Sequence, residues 1–314
     1  MFCLSFLLLL LLCISPGAFY SSPETSESND TAQNLNTFTT AYLKTKSPAD
    51  FDGSEYWDRN FIEFCNDASL DTTWQFRGSA CFYNGEFYGF LKVEIMSWSP
   101  ALVIFRDLLS KGQVKRYSSL LDRLEMERSL VISDEGEATE SNVRVAEGRD
   151  TESEKFEEAR DIVDSLTQLL PMFNLTNTEN LSALKYGSGG HYATHYDYLD
   201  NEQGSQGKDI FTMGNRLATL ILVFGKAEDG GATIFPQLGT AIRANVGDGY
   251  LWFNQKGDGT QEDLVEHGGC PIFSGEKVIS TLWIRSHHQD ILNNADQGSI
   301  SVETIFPYFL FPWE

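Results

Sequence analysis

The segment His191-Tyr192-Ala193-Thr194-His195-Tyr196-Asp197-Tyr198 contains the pattern His195-x-Asp197. In a β-strand the side chains of residues i and i+2 point to the same face, so His195 and Asp197 can bind one metal ion from one strand. A second histidine would complete a 2-His-1-carboxylate set, which leaves coordination positions open and suits Fe(II). The pattern His-x-Asp is common by itself at surfaces and in cores, so the rest of the chain must supply the third ligand.

His267 is the best candidate for the third ligand among the five histidines of the chain. It ends a predicted strand and precedes the pair Gly268-Gly269. The chain between His195 and His267 is long enough to cross a barrel and return beside the first strand. A structural histidine is the alternative interpretation of His267 taken alone.

Lys277 is a second unusual residue, because it enters an otherwise apolar predicted strand, Val278–Trp283. An ammonium that points into a barrel needs an anion, since an unpaired buried charge is costly. A dicarboxylate co-substrate would supply that anion. The alternative is that Lys277 lies in solvent at the end of the strand.

The hydrophobic pattern changes after Leu181 from a helical period to short strands separated by glycine-containing turns. Two amphipathic helices, 112–124 and 154–170, precede the change. The predicted class is therefore α+β, with a double-stranded β-helix (jelly roll) and flanking N-terminal helices. The predicted strands are 182–186, 191–198, 216–224, 231–235, 240–244, 249–254, 263–267 and 277–285.

Composition divides the 314 residues into five parts. The first residues are apolar and then small, as in a signal peptide, with a membrane anchor as the alternative; no other run is long enough to span a bilayer. An acidic stretch without periodicity, 134–153, predicts an exposed loop, either simply solvated or acting as a lid. The predicted parts are a signal peptide (1–18), a flexible leader (19–50), a disulfide-bearing N-terminal cap (51–110), the main domain (111–290) and a C-terminal tail (291–314).

Three cysteines remain once the predicted signal peptide is removed: Cys65, Cys81 and Cys270. Cys65 and Cys81 flank a turn-like Asn66-Asp67-Ala68, so we expect a disulfide between these two, which would stabilise the fold by closing a loop. Cys270 would then be free and buried.

Charge and sequons bear on the partners and the compartment. The formal net charge of −22 disfavours binding to nucleic acid and to anionic membranes, although it can also serve solubility alone. Glycosylation sequons occur at Asn29, Asn174 and Asn180. Together with the signal peptide they predict the lumen of the endoplasmic reticulum or secretion.

Further motifs accompany the histidines in a fixed order. They are Tyr186-Gly187-x-Gly189-Gly190-x-Tyr192-x-x-His195-Tyr196-Asp197, Gly214-Asn215-Arg216-Leu217-Ala218-Thr219, Gly230-Gly231-Ala232-Thr233-Ile234-Phe235-Pro236, His267-Gly268-Gly269-Cys270-Pro271 and Gly275-x-Lys277. This set resembles the catalytic region of procollagen-type prolyl 4-hydroxylase α subunits, which are Fe(II)- and 2-oxoglutarate-dependent dioxygenases. The resemblance runs from residue 60 to residue 290.

The resemblance implies an enzyme that hydroxylates peptidyl proline at C4 in collagen-like or other Pro-rich peptides. It would consume O2 and 2-oxoglutarate, with L-ascorbate keeping the iron reduced. The implied roles are Fe(II) ligands for His195, Asp197 and His267; 2-oxoglutarate contacts for Lys277, Tyr186 and Thr233; and peptide contacts for Tyr192, Arg216 and Trp283.

The chain also departs from the long α subunits of that family. Their N-terminal assembly and peptide-binding regions have no counterpart here, so we expect a short form that does not make their tetramer with protein disulfide isomerase. A smaller complex with that isomerase is left open. The family pairs the cysteine after the distal histidine with a later one, and no cysteine follows Cys270.

Two alternatives remain from the sequence. One is a related dioxygenase that acts on another residue or on a non-collagen protein. Lysyl hydroxylases have Arg where Lys277 stands, which favours proline. The other is a catalytically inactive jelly-roll binding module, which the intact ligand residues and Lys277 disfavour.

Overall fold

The computed structural model describes residues 51–66, 78–84, 89–132, 138–199 and 204–310. The predicted signal peptide, the leader and Asn29 lie outside these ranges. Within them, no helix is both long enough and apolar enough to cross a membrane. The sequon residues Asn174 and Asn180 are both exposed to solvent.

The described residues form short helices and many antiparallel strands, which confirms the α+β class. The helices are α1 (Arg59–Asn66), α2 (Lys111–Leu121), α3 (Glu157–Leu169), α4 (Gly204–Met213), α5 (Ile291–Asn294), α6 (Val302–Ile305) and α7 (Pro307–Leu310). The strands are β1 (Gly78–Asn84), β2 (Gly89–Trp98), β3 (Ala101–Arg106), β4 (Glu127–Arg128), β5 (Val131–Ile132), β6 (Ala138–Thr139), β7 (Arg144–Val145), β8 (Glu147–Thr151), β9 (Leu181–Tyr186), β10 (His191–His195), β11 (Arg216–Gly225), β12 (Asp229–Gly230), β13 (Thr233–Phe235), β14 (Thr240–Ile242), β15 (Gly249–Phe253), β16 (His267–Gly269), β17 (Ile272–Ser274) and β18 (Lys277–Arg285).

Two sheets make the jelly roll. The larger one has nine strands in the order β1-β2-β3-β15-β11-β18-β9-β8-β4, and the smaller one has five in the order β14-β13-β16-β10-β7. One buried cluster joins them, since Ile221, Tyr250 and Ile279 of the larger sheet pack with Phe235 and Ile242 of the smaller. The space between the sheets is therefore the interior of the roll.

Helices cover the outer face of the larger sheet. The predicted helices 112–124 and 154–170 correspond to α2 and α3. A capping box starts α2, because Ser110 Oγ accepts from the Gln113 amide and Gln113 Oε1 accepts from the Ser110 amide. Helix α3 buries Ala159, Ile162 and Leu166, which recur at helical spacing on one face.

Strand periodicity sorts the side chains between the two faces of the larger sheet. In β18, Val278 and Leu282 pack with the helices, whereas Ile279 packs into the interior. Because side chains alternate along a strand, Lys277 faces the interior together with Ile279. The same alternation in β11 places Ile221 inside and Leu220 outside.

The C-terminal tail packs back onto the roll. Ile300, Val302, Ile305 and Tyr308 are buried in the same cluster as the helices. The amide of Ala101 in β3 donates to the carbonyl of Ile300, which fixes the approach of this segment. The apolar side chains of the described part of the tail are thus packed against the larger sheet.

The predicted Cys65–Cys81 disulfide is wrong, because Cys65 is bonded to Cys270 in the structure with a Cα–Cα distance of 5.6 Å. Cys270 is accordingly not a free thiol. Helix α1 carries Cys65 and packs with Trp57 on the outer face of the smaller sheet, where Cys270 follows β16. The local turn between Cys65 and Cys81 did not predict the pairing, because the disulfide depends on a tertiary contact between α1 and the smaller sheet.

Other boundaries also differ from the prediction. Residues 134–153 are not a single exposed loop, since β7 pairs with β10 and β8 joins the larger sheet. His267 begins β16 rather than ending a strand, and a 3-10 turn, Asp263–Val265, precedes it. Strand β3, within the predicted cap, pairs with β15 and so belongs to the larger sheet.

Candidate functional site

Two adjacent strands bring the candidate metal ligands together. His195 lies opposite His267 where β10 pairs with β16, and Asp197 follows His195 by two residues. One potential ligand atom from each residue lies within 4.8 Å of the other two. The two oxygens of Asp197 are divided between the rings, with Oδ1 3.6 Å from His195 Nε2 and Oδ2 3.6 Å from His267 Nε2.

The backbone sets the tautomer of both histidines. Nδ1 of His195 lies 2.8 Å from the carbonyl of Ala193, and Nδ1 of His267 lies 3.0 Å from the carbonyl of Val265. A carbonyl oxygen only accepts, so each Nδ1 carries a hydrogen and each Nε2 presents a lone pair. Both lone pairs face Asp197, as a metal site requires.

The charges in the triad also suit a divalent cation. Burial, followed by the neighbouring His195, lowers the pKa of His267 to about 4, so this ring is neutral near pH 7. Burial by itself would raise the pKa of Asp197, but the two neighbouring histidines hold it below its usual range. Two imidazoles and one carboxylate are the donor set that Fe(II) takes in a facial triad, so these three residues fit that ion.

Thr219 in β11 supports the carboxylate. Its hydroxyl lies 2.7 Å from Asp197 Oδ2, and Asn254 Nδ2 lies 2.8 Å from Thr219 Oγ1. The three residues are buried. The sequence analysis did not identify Thr219 or Asn254, because neither residue type is a typical metal ligand.

Lys277 lines the same cavity as the three candidate metal ligands. It is opposite Tyr186 where β18 pairs with β9, and its Nζ donates to Thr233 Oγ1 at 3.1 Å. No carboxylate of the described residues forms an ion pair with it, and burial lowers the pKa of its ammonium to about 8. Lys277 thus lacks the anion that a buried ammonium needs.

The structure places the predicted metal, co-substrate and peptide residues around one cavity, with a single exception. The cavity is lined by His195, Asp197, His267, Lys277, Tyr186, Thr233, Tyr192 and Trp283. The exception is Arg216, whose guanidinium lies 3.8 Å from the ring centroid of Trp283. The predicted peptide-binding role of Arg216 stays a prediction, because Arg216 is not among the residues that line the cavity.

Glu179 holds Arg216 in that position. Its carboxylate accepts from Arg216 Nε at 2.7 Å and from Arg216 Nη2 at 2.8 Å. Arg285 Nη1 donates to the same carboxylate at 2.7 Å, and its Nε donates to the carbonyl of Gly214. The two arginines lower the pKa of Glu179, although its burial by itself would raise it. This charged cluster contacts the ring of Trp283 through Arg216.

Arg144 is a cavity residue that the sequence analysis missed. It lies in the acidic stretch, and it reaches the cavity because β7 pairs with the metal-ligand strand β10. Its guanidinium lies 5.0 Å from the ring centroid of Tyr192, within the range of a cation–π contact. Nothing in the local pattern around Arg144 indicated that this segment would add a strand.

Comparison with known proteins supports the predicted resemblance. Residues 181–285 match the family model described as the 2OG-Fe(II) oxygenase superfamily. Prolyl 4-hydroxylase subunit alpha-2 of Caenorhabditis elegans is 28% identical over 200 residues, which cover 64% of this chain and 37% of that protein. Probable prolyl 4-hydroxylase 10 of Arabidopsis thaliana is 28% identical over 219 residues, which cover 63% of this chain and 73% of that protein.

The chain therefore spans only part of the longer animal relative. Among solved structures, the viral collagen prolyl hydroxylase of Paramecium Bursaria Chlorella virus-1 in its 2OG complex is similar, with a TM-score of 0.45 and 22% identity. That similarity covers 59% of this chain and 95% of the viral one.

Proposed function

We propose that this chain, a prolyl 4-hydroxylase-like 2OG-Fe(II) oxygenase by its matches, hydroxylates peptidyl proline at C4 in collagen-like or other Pro-rich proteins. The observation that carries the proposal is the convergence of two Nε2 lone pairs and one carboxylate, with Lys277 in the same cavity. This arrangement offers a metal position and an anion position inside one cavity.

His195, Asp197 and His267 would hold the iron, and their set leaves positions open for other ligands. Bound Fe(II), with 2-oxoglutarate and O2, supplies oxidation of a C–H bond coupled to formation of succinate and CO2. L-ascorbate would keep the iron reduced. The protein contributes the fixed tautomers, the buried Asp197 and the exclusion of water by the apolar interior.

Lys277 would bind the distal carboxylate of 2-oxoglutarate. The ammonium lacks an anionic partner among the described residues, and a carboxylate would form a charge-assisted hydrogen bond with it. Thr233 lies 3.1 Å from Nζ, and Tyr186 is the cross-strand neighbour of Lys277. The hydroxyl groups of Thr233 and Tyr186 would contact the same carboxylate.

Tyr192 and Trp283 would contact the peptide. The indole N–H of Trp283 is buried and has no hydrogen-bond partner among the described residues, so a peptide carbonyl could accept from it. Tyr192 stacks on the imidazole of His195, with ring centroids 3.6 Å apart, and forms a flat wall beside the metal position. A Pro-rich peptide in the polyproline II conformation would dock against such aromatic surfaces.

The compartment is part of the proposal. The Cys65–Cys270 disulfide is typical of the secretory pathway, and the N-terminal apolar segment resembles a signal peptide. Asn174 and Asn180 are exposed, as glycosylation requires. We therefore place the enzyme in the endoplasmic reticulum lumen or outside the cell, with protein disulfide isomerase as the candidate protein partner.

The decisive experiment measures succinate release with Fe(II), 2-oxoglutarate and synthetic peptides. A Pro-rich peptide should give turnover with hydroxyproline at C4, whereas a matched Lys-containing peptide should give none. His195→Ala, Asp197→Ala and His267→Ala should each abolish turnover and bound metal, with folding checked by circular dichroism. His287→Ala, at an exposed histidine, is the matched control.

Each other outcome has a definite meaning. Full turnover in any one ligand variant would show that the triad is not the metal site. Turnover on the lysine peptide alone would replace proline by another target residue. Metal binding without turnover on any peptide would favour an inactive binding module.

A further inference from the structure

Three polar side chains, Lys277, Thr233 and Tyr250, form a hydrogen-bonded chain inside the roll, and Tyr250 is the one not yet assigned to the site. Lys277 Nζ donates to Thr233 Oγ1 at 3.1 Å, and Thr233 Oγ1 lies 2.8 Å from the hydroxyl of Tyr250. Tyr250 is 2% exposed and belongs to β15, where it is opposite Ile221 of β11 and Ile104 of β3. The surrounding side chains are mostly apolar, so this polar chain is unusual in the interior.

Thr233 is the member that can change its role. A threonine hydroxyl has one hydrogen and two lone pairs, whereas an ammonium has only donors. Thr233 therefore accepts from Lys277, and its single hydrogen can go either to Tyr250 or into the cavity. Which of these occurs depends on whether Tyr250 donates or accepts.

A bound carboxylate would settle the direction. A hydroxyl donates more strongly to a carboxylate than to a phenol oxygen, because the acceptor is charged. Thr233 would then use its only hydrogen on the carboxylate, and Tyr250 would donate to the second lone pair of Thr233. Among the described residues, Thr233 is the one hydrogen-bond partner of the Tyr250 hydroxyl.

We propose that Tyr250 is a positioning residue of the co-substrate site. By donating to Thr233, it would orient the Thr233 hydroxyl as a donor to the distal carboxylate of 2-oxoglutarate. The inference rests on the proposed function and adds a residue to it. Burial raises the pKa of Tyr250, so its hydroxyl keeps the hydrogen that it donates across the working pH range. Tyr250 thereby contributes to the selection of dicarboxylates over acids that have no distal carboxylate.

The test compares two metal-chelating probes on the Mn(II)-loaded protein, by direct calorimetric binding rather than by turnover. N-Oxalylglycine carries the distal carboxylate, and oxalate does not. Tyr250→Phe should lower the affinity for N-oxalylglycine by about tenfold, which corresponds to the loss of one hydrogen bond to a charged network. The affinity for oxalate should not change. Tyr117→Phe is the matched control, since it removes a buried hydroxyl that contacts Thr151 and Ser280 on the other face of the sheet.

A double-mutant cycle separates positioning from a general packing effect. If Tyr250 acts through Thr233, then Tyr250→Phe should have no further effect on N-oxalylglycine in a Thr233→Val background. Equal N-oxalylglycine affinity in Tyr250→Phe and wild type would overturn the proposal, as would additive effects or an equal loss for oxalate. A wild-type protein that binds oxalate but not N-oxalylglycine would instead overturn the proposed function, so the two failures are distinguishable.

Discussion

The hydroxyl of Thr219 donates to Oδ2 of Asp197 at 2.7 Å, and the neighbouring Asn254 fixes this direction of the hydrogen bond. Its oxygen accepts from the side-chain amide of Asn254 at 2.8 Å, so its hydrogen is directed at the carboxylate. All three groups are buried, and water cannot replace the contact. One carboxylate oxygen is therefore held in place before any metal arrives.

We expect Thr219→Val to lower the affinity for metal by about 10- to 100-fold, as is common when a group that orients a ligand is removed. Valine keeps the shape of threonine but cannot donate. Thr219→Ser retains the hydroxyl and should bind metal nearly as well as wild type. Titration with Co(II), followed by its absorption spectrum, measures the affinity; equal binding by the valine variant and wild type would contradict the prediction.

The affinity for 2-oxoglutarate should fall as the pH rises past 8. Burial lowers the pKa of free Lys277 to about 8, and only its protonated form attracts a carboxylate. From about pH 7 to about pH 9 the dissociation constant should rise by about tenfold, since each pH unit above the pKa reduces the protonated fraction by about tenfold. Binding should be accompanied by proton uptake, which calorimetry in buffers of different ionisation enthalpy detects.

Lys277→Arg is the control for this pH dependence. A guanidinium stays charged throughout the range, so its weaker binding should not change with pH. A pH profile in the Arg variant that matched wild type would assign the titration to a group other than Lys277.

Peptide mapping without reduction should join Cys65 to Cys270. The two residues are 205 positions apart, and the chain-entropy model gives about 5 kcal/mol for a loop of that size. Replacing both by serine should lower the free energy of unfolding by about 2–5 kcal/mol. Recovery of a Cys65–Cys81 peptide would restore the expectation from the sequence.

Glu179→Gln should weaken both the fold and the peptide site. The change leaves Arg216 and Arg285 without their shared carboxylate. Because Glu179 is only partly buried, the loss should cost less than the about 3–5 kcal/mol that is typical of a fully buried ion pair. The KM for peptide should rise because Arg216 supports Trp283, whereas the affinity for 2-oxoglutarate should not change. Glu276→Gln is the control: its pair with Lys185 is well exposed, so its loss should cost at most about 1 kcal/mol. A peptide KM equal to that of wild type would contradict the support role.

The sequence predicted the residues whose placement depends on local rules. His195 and Asp197 share a face through strand alternation, and the motif order assigned His267 and Lys277. The residue type was enough to identify these four as candidate site residues, because imidazole, carboxylate and ammonium groups are rare in an apolar strand. The jelly roll itself followed from the strand spacing.

The residues that the sequence did not predict depend on which strands become neighbours. Arg144 reaches the cavity only because β7 pairs with β10, and Cys65 meets Cys270 only because α1 packs on the smaller sheet. Tyr250 and Asn254 have ordinary residue types for a buried strand and its end. Their roles appear once their partners in other strands are known.

The order of strands in the larger sheet determines when the site can be assembled during synthesis. Five of its nine strands, β1–β4 and β8, lie before residue 181, outside the region that matches the family model. Strand β3 cannot pair with β15 until β15 has been synthesised, and His267 of β16 is synthesised later than β15. Long-range pairing of this kind is slow and leaves apolar edges exposed in the nascent chain. The two histidines of the triad can therefore meet only after β16 has been synthesised, and the region that matches the family model shares its larger sheet with five strands that lie outside that region.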